Sequence, residues 1–430
     1  MYTLRPSRVY VHRRVYQNPQ AVSRMERMLG AMGNPAVEEI DAQDTDRIFE
    51  ESGPPEGIPL ATHGVAQGVE KLRRDPAILF NTFEWDKSQC PPITRKYRSV
   101  WHERLARLIA GAGEDSAWSQ RKPDFGTQHG EVVCEGGWGI HTLAGCVHKC
   151  DYCSEGYIVN VMLDIEDFAD HLAGLFLRRP QQKLYRYDVW SDTICFEPEY
   201  GASAVLADLF ARSGDKYLLF YTKSDNVEHL LPLPKTNSIF FCSLSTETVC
   251  RTIERDTPSL DQRIEGLRRC QEAGYPVRVG FSPIIPIVNW QQEATQAIEK
   301  LLSVVSPQVV RLWVLSLMQA REFERAICPD LIEPTFLSEL RAAAPELENG
   351  MPVQRPFPPA VREQIYGHYL DEFRRMSPNT PVGLCTEERV LWDALRDKMT
   401  MTPESLFCCC GGHSVRPPSG AAPRAPRANH

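Results

Sequence analysis

Between residues 137 and 317, short apolar runs bounded by turn signals alternate with stretches whose apolar positions recur at helical spacing. The runs are GWGIHTLAG, KLYRYDVW, KYLLFYTKS, SIFFCSLS, PVRVGFSPIIP and VVRLWVLSL. Two of the helical stretches carry end signals. DIEDFADHLAGLFLRR starts at Asp164, a residue type that caps helix N-termini, with Asp167 three residues on. LDQRIEGLRRCQEAG ends on Gly274, which suits a helix C-terminus. Six strands separated by helices predict an α/β fold with a parallel sheet that curls into a partial or full barrel.

The flanks read differently. Residues 1–130 carry mixed charge and proline-rich segments such as GPPEGIPL and CPPITRKY. They predict an N-terminal α/β layer with long loops, beginning with a strand at Ser7–Tyr16. The barrel is expected over 131–318 and a helical extension over 319–410. Residues 411–430 hold three arginines and no acid and predict a disordered tail. No internal repeat of solenoid period is present.

A chain of 430 residues calls for two or three structural units. Its net charge of −8 argues against a protein that coats a polyanion, so no nucleic-acid partner is expected. No run reaches the ~18 apolar residues of a membrane span, and the N-terminus lacks a signal peptide's apolar core. The expected location is the cytoplasm, where the 14 cysteines stay reduced and available for metals or chemistry.

The sharpest chemical signal is Cys146-Val-His-Lys-Cys150-Asp-Tyr-Cys153, a CxxxCxxC directly after the first candidate strand. In a parallel α/β barrel that places three thiolates at the C-terminal face, where such folds put their chemistry. Three cysteines within eight residues suit a 4Fe–4S cluster with one iron left open. That iron can chelate the amino and carboxylate groups of S-adenosylmethionine (SAM), whose sulfonium an electron from the cluster can then cleave. The competing reading is structural zinc with His141 or His148 as fourth ligand.

The spacing, with Tyr152 before the last cysteine, is the signature of the radical SAM superfamily. The segments SRVYVHRRVYQNPQAVSRMERML, YTKSDNVEHLL and DTPSLDQRIEGLRRCQEAGYPVRVGFSPIIP resemble spore photoproduct lyase and its radical SAM relatives. The resemblance covers roughly residues 7–40 and 137–300. It implies a partial (β/α)6 barrel, one 4Fe–4S cluster, bound SAM and an external electron donor such as flavodoxin or ferredoxin. It also implies that Lys223 contacts SAM, where an ammonium can pair with the methionyl carboxylate. Ser191 and Asp192 after the second strand, and Ser243 and Ser245 at the fourth, stand where the family presents polar groups to that cofactor.

The resemblance also has gaps. Lyases of this family carry a hydrogen-donating cysteine after the second strand, and Val189 stands there in this chain, with Cys195 six residues on. The tyrosine that follows the third cluster cysteine is Ser154 here. Near the C-terminus lies Phe407-Cys408-Cys409-Cys410-Gly411-Gly412-His413, a soft-donor motif suited to thiophilic partners. It leaves open a second iron–sulfur cluster or a zinc site with His413 or Cys385.

The combination resembles the radical SAM proteins of arsinothricin biosynthesis. That likeness implies transfer of the 3-amino-3-carboxypropyl group of SAM to arsenite, with Cys408, Cys409 and Cys410 holding arsenite near the cluster as catalytic residues. The alternatives are a DNA-repair lyase using a 5′-deoxyadenosyl radical and a non-enzymatic metal or metalloid sensor. Cys242, Cys250 and Cys270 read as core residues, and Trp138 and Trp190 as barrel packing.

Overall fold

The computed structural model describes residues 1–53, 60–61, 64–65, 75–86, 88–89, 97, 100–121, 132–153, 155–316, 318–347 and 355–415. Six parallel strands pair in chain order: β1 (Gly137–Ile140), β2 (Leu184–Tyr187), β3 (Tyr217–Thr222), β4 (Ser238–Leu244), β5 (Val277–Ile284) and β6 (Val310–Val314). Each falls within one of the six apolar runs. A further strand, β7 (Val382–Leu384), extends the sheet in parallel beyond β6, with Val310 opposite Val382. The helical reading of 319–410 did not anticipate it. Trp118–Arg121 closes the other edge antiparallel to β1.

The strands are buried almost throughout, apart from half-buried Tyr217, Tyr221 and Trp313, because both faces of the sheet are covered. Successive side chains point to opposite faces, so one set meets the helices and the other the barrel interior. Tyr185, Leu218, Phe220 and Phe240 join the large outer core, whereas Leu184, Leu219, Ile239 and Phe241 form a separate inner cluster.

Helices fill four of the five crossovers between β1 and β6: α1 (Ile165–Arg178), α2 (Ala202–Ala211), α3 (Leu260–Glu272) and α4 (Trp290–Val304), with α5 (Pro359–Met376) before β7. The β3–β4 crossover carries only the 3-10 turn Glu228–Leu230. In α1, Ile165, Phe168, Ala169, Leu172, Leu175 and Phe176 form the buried stripe that the helical period predicts. Asp164 precedes α1 but does not cap it. Its carboxylate instead accepts the backbone N–H of Phe83 at 3.0 Å. In α3 the cap belongs to Ser259, which forms a capping box with Gln262, and Gly274 ends the turn at φ +99°.

A second sheet of five strands lies on the N-terminal side, in the order Glu38–Ile40, Val9–His12, Ala77–Asn81, Ile158–Met162 and Leu143–Ala144. The strand expected at Ser7–Tyr16 is the short Val9–His12, which runs into a 3-10 turn at Arg13–Gln17. Two strands of this sheet come from the barrel stretch itself. The first apolar run therefore splits: its start is β1 and its end, Leu143–Ala144, pairs antiparallel with Ile158–Met162.

Residues 411–415, the head of the stretch read as a tail, pack against the barrel, with Gly411, Gly412 and Ser414 buried. Residues 416–430 lie outside the described residues. Among the described residues no helix is long and apolar enough to cross a membrane.

Candidate functional site

The C-terminal ends of β1–β4 converge on the CxxxCxxC loop. Gly145, immediately before Cys146, has φ +101°, and a Cβ there would meet the carbonyl oxygen of Ile158 at 2.1 Å. Only glycine allows the loop to leave so close to the neighbouring strand. Further on, Lys149–Cys150 pairs antiparallel with Glu254–Arg255, Cys150 opposite Glu254. The loop is thus fastened to the chain that follows β4.

Glu254 is the hub of this fastening. Its carboxylate is fully buried and pairs with Lys223 on one oxygen and, at 2.7 Å, with Arg263 on the other. Ser245 Oγ donates to it at 2.9 Å, and the hydroxyl of Tyr152, inside the cysteine loop, donates as well. Burial pushes the carboxyl pKa up, but Lys223 and then Arg263 outweigh it and hold Glu254 well below the usual carboxylate range.

Asp192 is a second hub, also buried. It accepts from Thr222 Oγ1 at 2.6 Å, from the backbone N–H of Lys223 at 2.7 Å and from His148 Nε2 at 3.1 Å. Burial raises the Cys146 thiol pKa well above its ordinary value, with Asp192, Cys153 and Cys150 adding to the effect. The three loop thiols are therefore electrostatic neighbours, and a cation among them would relieve their mutual repulsion.

Neither histidine is free to complete a zinc site with these cysteines. His141 is held by Asp188 at 2.5 Å and Ser119 at 2.8 Å, and His148 by Asp192 and the carbonyl of Asp256 at 2.8 Å. Three thiols without a histidine suit an iron–sulfur cluster with an open iron better than tetrahedral zinc.

The other expected residues fall around the same mouth. Ser191 follows β2, and its hydroxyl is buried with no hydrogen-bond partner among the described residues. Ser243 is buried near the end of β4, where its carbonyl accepts from Arg263 at 3.1 Å. Trp190 stacks on His141 at 3.7 Å between centroids, a packing role. Cys195 is fully buried, its Sγ 3.5 Å from His148 Nε2. Val189 is half-buried, and Ser154 lies outside the described residues. Sequence reasoning missed Glu254 and Arg263, since an acid two residues past the short helix Glu247–Thr252 carries no motif.

The C-terminal cysteines are at the other end of the barrel. The segment Phe407–Val415 crosses the N-terminal ends of the strands. The carbonyl of Gly412 accepts from Leu184 N at the start of β2, and Cys409 Sγ lies 3.4 Å from the carbonyl of Val279. Arg278 on β5 donates to the carbonyl of Cys409 at 2.9 Å. A Cβ on Gly411 would stand 2.1 Å from the Glu135 carboxylate, so that side chain would have to shift to admit one. The expectation that Cys408, Cys409 and Cys410 hold a substrate near the cluster therefore meets the opposite placement: strands β1–β6 separate the two cysteine groups.

The spore photoproduct lyase family profile matches residues 135–331. Spore photoproduct lyase of Bacillus subtilis (strain 168) is 27% identical over 184 residues, covering 40% of this chain and 53% of the relative. That of Clostridium acetobutylicum is 25% identical over 168 residues, covering 37% and 49%. The chain thus spans about half the length of the curated relatives it matches.

The fold likeness runs further. A spore photoproduct lyase mutant with dinucleoside spore photoproduct superposes with a TM-score of 0.59 at 16% identity, over 89% of this chain and 99% of the other. A double mutant with bound AdoMet and the same photoproduct gives 0.58 at 15% identity, over 89% and 99%. The curled α/β half-barrel is therefore the fold of those enzymes.

Proposed function

Taking that likeness as the premise, we propose that the chain is a radical SAM enzyme with lyase-type chemistry. Cys146, Cys150 and Cys153 hold a 4Fe–4S cluster, and Lys223, Ser191, Asp192, Ser243 and Ser245 surround the place of SAM. The observation that carries the reading is the joint fastening of loop and strand ends. Cys150 opposes Glu254, and Glu254 in turn binds Lys223, Ser245 and Tyr152.

Bound together, cluster and SAM supply one-electron cleavage of a sulfonium C–S bond. The chain's own residues orient and enclose. Lys223 offers an ammonium that can share itself between Glu254 and a ligand carboxylate. The hydroxyl of Ser191, lacking a partner among the described residues, is available to a polar ligand. Asp192 fixes the backbone of Lys223 and the ring of His148, so the cysteine loop and β3 stay in register. An external donor such as flavodoxin or ferredoxin supplies the electron.

The substrate class that the likeness favours is a dinucleoside photoproduct or a related thymine lesion. The test is anaerobic: reconstituted protein, dithionite, SAM and dinucleoside spore photoproduct, with products separated by mass spectrometry. 5′-Deoxyadenosine together with loss of photoproduct is the expected result. SAM cleavage with the photoproduct left intact would sink the substrate assignment.

A second reading is transfer of the aminocarboxypropyl group of SAM to arsenite. The contiguous thiols Cys408–Cys410 favour it, and their position at the far end of the barrel counts against it. In the same assay with arsenite added, methylthioadenosine and an arsenic-bearing amino acid would establish this second reading.

A further inference from the structure

At the foot of the barrel, four cysteines from three separate parts of the chain line one small pocket. Cys134 precedes β1, Cys385 follows β7, and Cys408 and Cys410 lie on the C-terminal segment. The pocket holds about 20 Å3, room for one water or one ion. Arg186 also lines it, 8% exposed, and its Nε has no hydrogen-bond partner among the described residues.

Positive charge predominates at this end. Arg186, Arg278 and Arg311 are buried inside the barrel, and the Glu135 carboxylate acts on Arg278 together with the sulfurs of Cys408, Cys409 and Cys410. Arg311 approaches Cys410 Sγ at 3.6 Å and the hydroxyl of Ser282 at 3.2 Å. Buried guanidiniums that outnumber their counter-ions are costly, and negative charge on the sulfurs would offset them. Four thiolates on one divalent cation carry a net charge of −2, which these arginines offset.

We propose that Cys134, Cys385, Cys408 and Cys410 form a tetrathiolate site for a thiophilic d10 cation of the zinc class, pinning the C-terminal segment to the base of the barrel. No three of the sulfurs stand within 4.8 Å of one another in the present arrangement. Loading the ion turns their side chains inward until all reach about 2.3 Å from it. The site is independent of the lyase-type reaction, since it shares no residue with the CxxxCxxC loop.

The experiment measures zinc and iron per chain by elemental analysis, in the full-length protein purified anaerobically and offered equimolar zinc. Expected is one zinc per chain beyond the iron. That zinc falls by about tenfold or more in Cys134→Ser and in Cys410→Ser, while iron is unchanged. Cys409→Ser is the folding control: its sulfur contacts backbone carbonyls rather than the pocket, so it retains zinc. If the wild-type chain takes up no zinc, the proposal falls. Iron lost with the same substitutions would reveal a second cluster and also overturns it.

Discussion

Arg263 Nη2 lies 2.7 Å from Glu254 Oε2, and neither side chain is exposed. The pair sits directly beneath the cysteine loop and shares its carboxylate with Lys223. Removing the acid leaves two cations facing each other in a dry site. Glu254→Gln is expected to lower unfolding stability by about 3–5 kcal/mol, read from denaturant melts of the apoprotein. A change under about 1 kcal/mol would mean that water already screens the pair.

Lys223 separates from Glu254 in its consequences. With Arg263 still present, Lys223→Ala leaves the carboxylate paired, so folding and iron content are expected to survive. Affinity for SAM, measured by equilibrium dialysis, should fall by at least about tenfold, equivalent to about 1.4 kcal/mol. Unchanged affinity would assign the lysine to structure alone.

The loop thiols give a spectroscopic prediction. Alanine at Cys146, Cys150 or Cys153 should each abolish the visible absorbance of a reconstituted iron–sulfur cluster, with far-ultraviolet circular dichroism preserved. Gly145→Ala should reduce cluster loading as well, because the added methyl drives the loop off Ile158. A Gly145→Ala protein that loads iron normally would contradict the steric argument.

Acid sensitivity follows from His12. Burial first, and then the nearby Arg14, hold its pKa down at about 4. A histidine whose folded pKa lies below its unfolded value near 6.5 contributes its stability above 6.5 and loses it as pH falls towards 4. Thermal midpoints should therefore drop across that window by the equivalent of about 3 kcal/mol. His12→Asn, which keeps an acceptor for the Arg14 N–H, should flatten the slope. An unchanged slope would assign acid sensitivity to other groups.

Much of the barrel is legible in the chain because its strands are buried on both faces and read as continuous apolar runs. β7 escapes, since Val382-Gly-Leu384 is three residues long and sits among helices. The N-terminal sheet is obscured for a related reason: Glu38-Glu-Ile40 is mostly charged, and two of its partners belong to the barrel stretch. Within the site, local spacing marks the three cysteines, whereas the contacts of Glu254 with Tyr152 and Lys223 span 102 and 31 residues and leave no periodic trace. Spacing is equally silent on which mouth of the barrel Cys408–Cys410 reach. The two thiol groups are both conspicuous in sequence and lie at opposite ends in space.

Glu135 and His413 meet across 278 residues, where the backbone N–H of His413 donates to the carboxylate at 2.6 Å. During synthesis, β1 emerges long before the segment that floors it. The inner faces of Leu184, Leu219 and Ile239 must wait, wet and adhesive, until Phe407 and its neighbours arrive. Closure over so long a loop delays the final cooperative step, leaving the nascent barrel as a client for chaperones and a target for proteases. A premature stop a few codons short of Phe407 would act on the abundance of the protein before it acted on any chemistry.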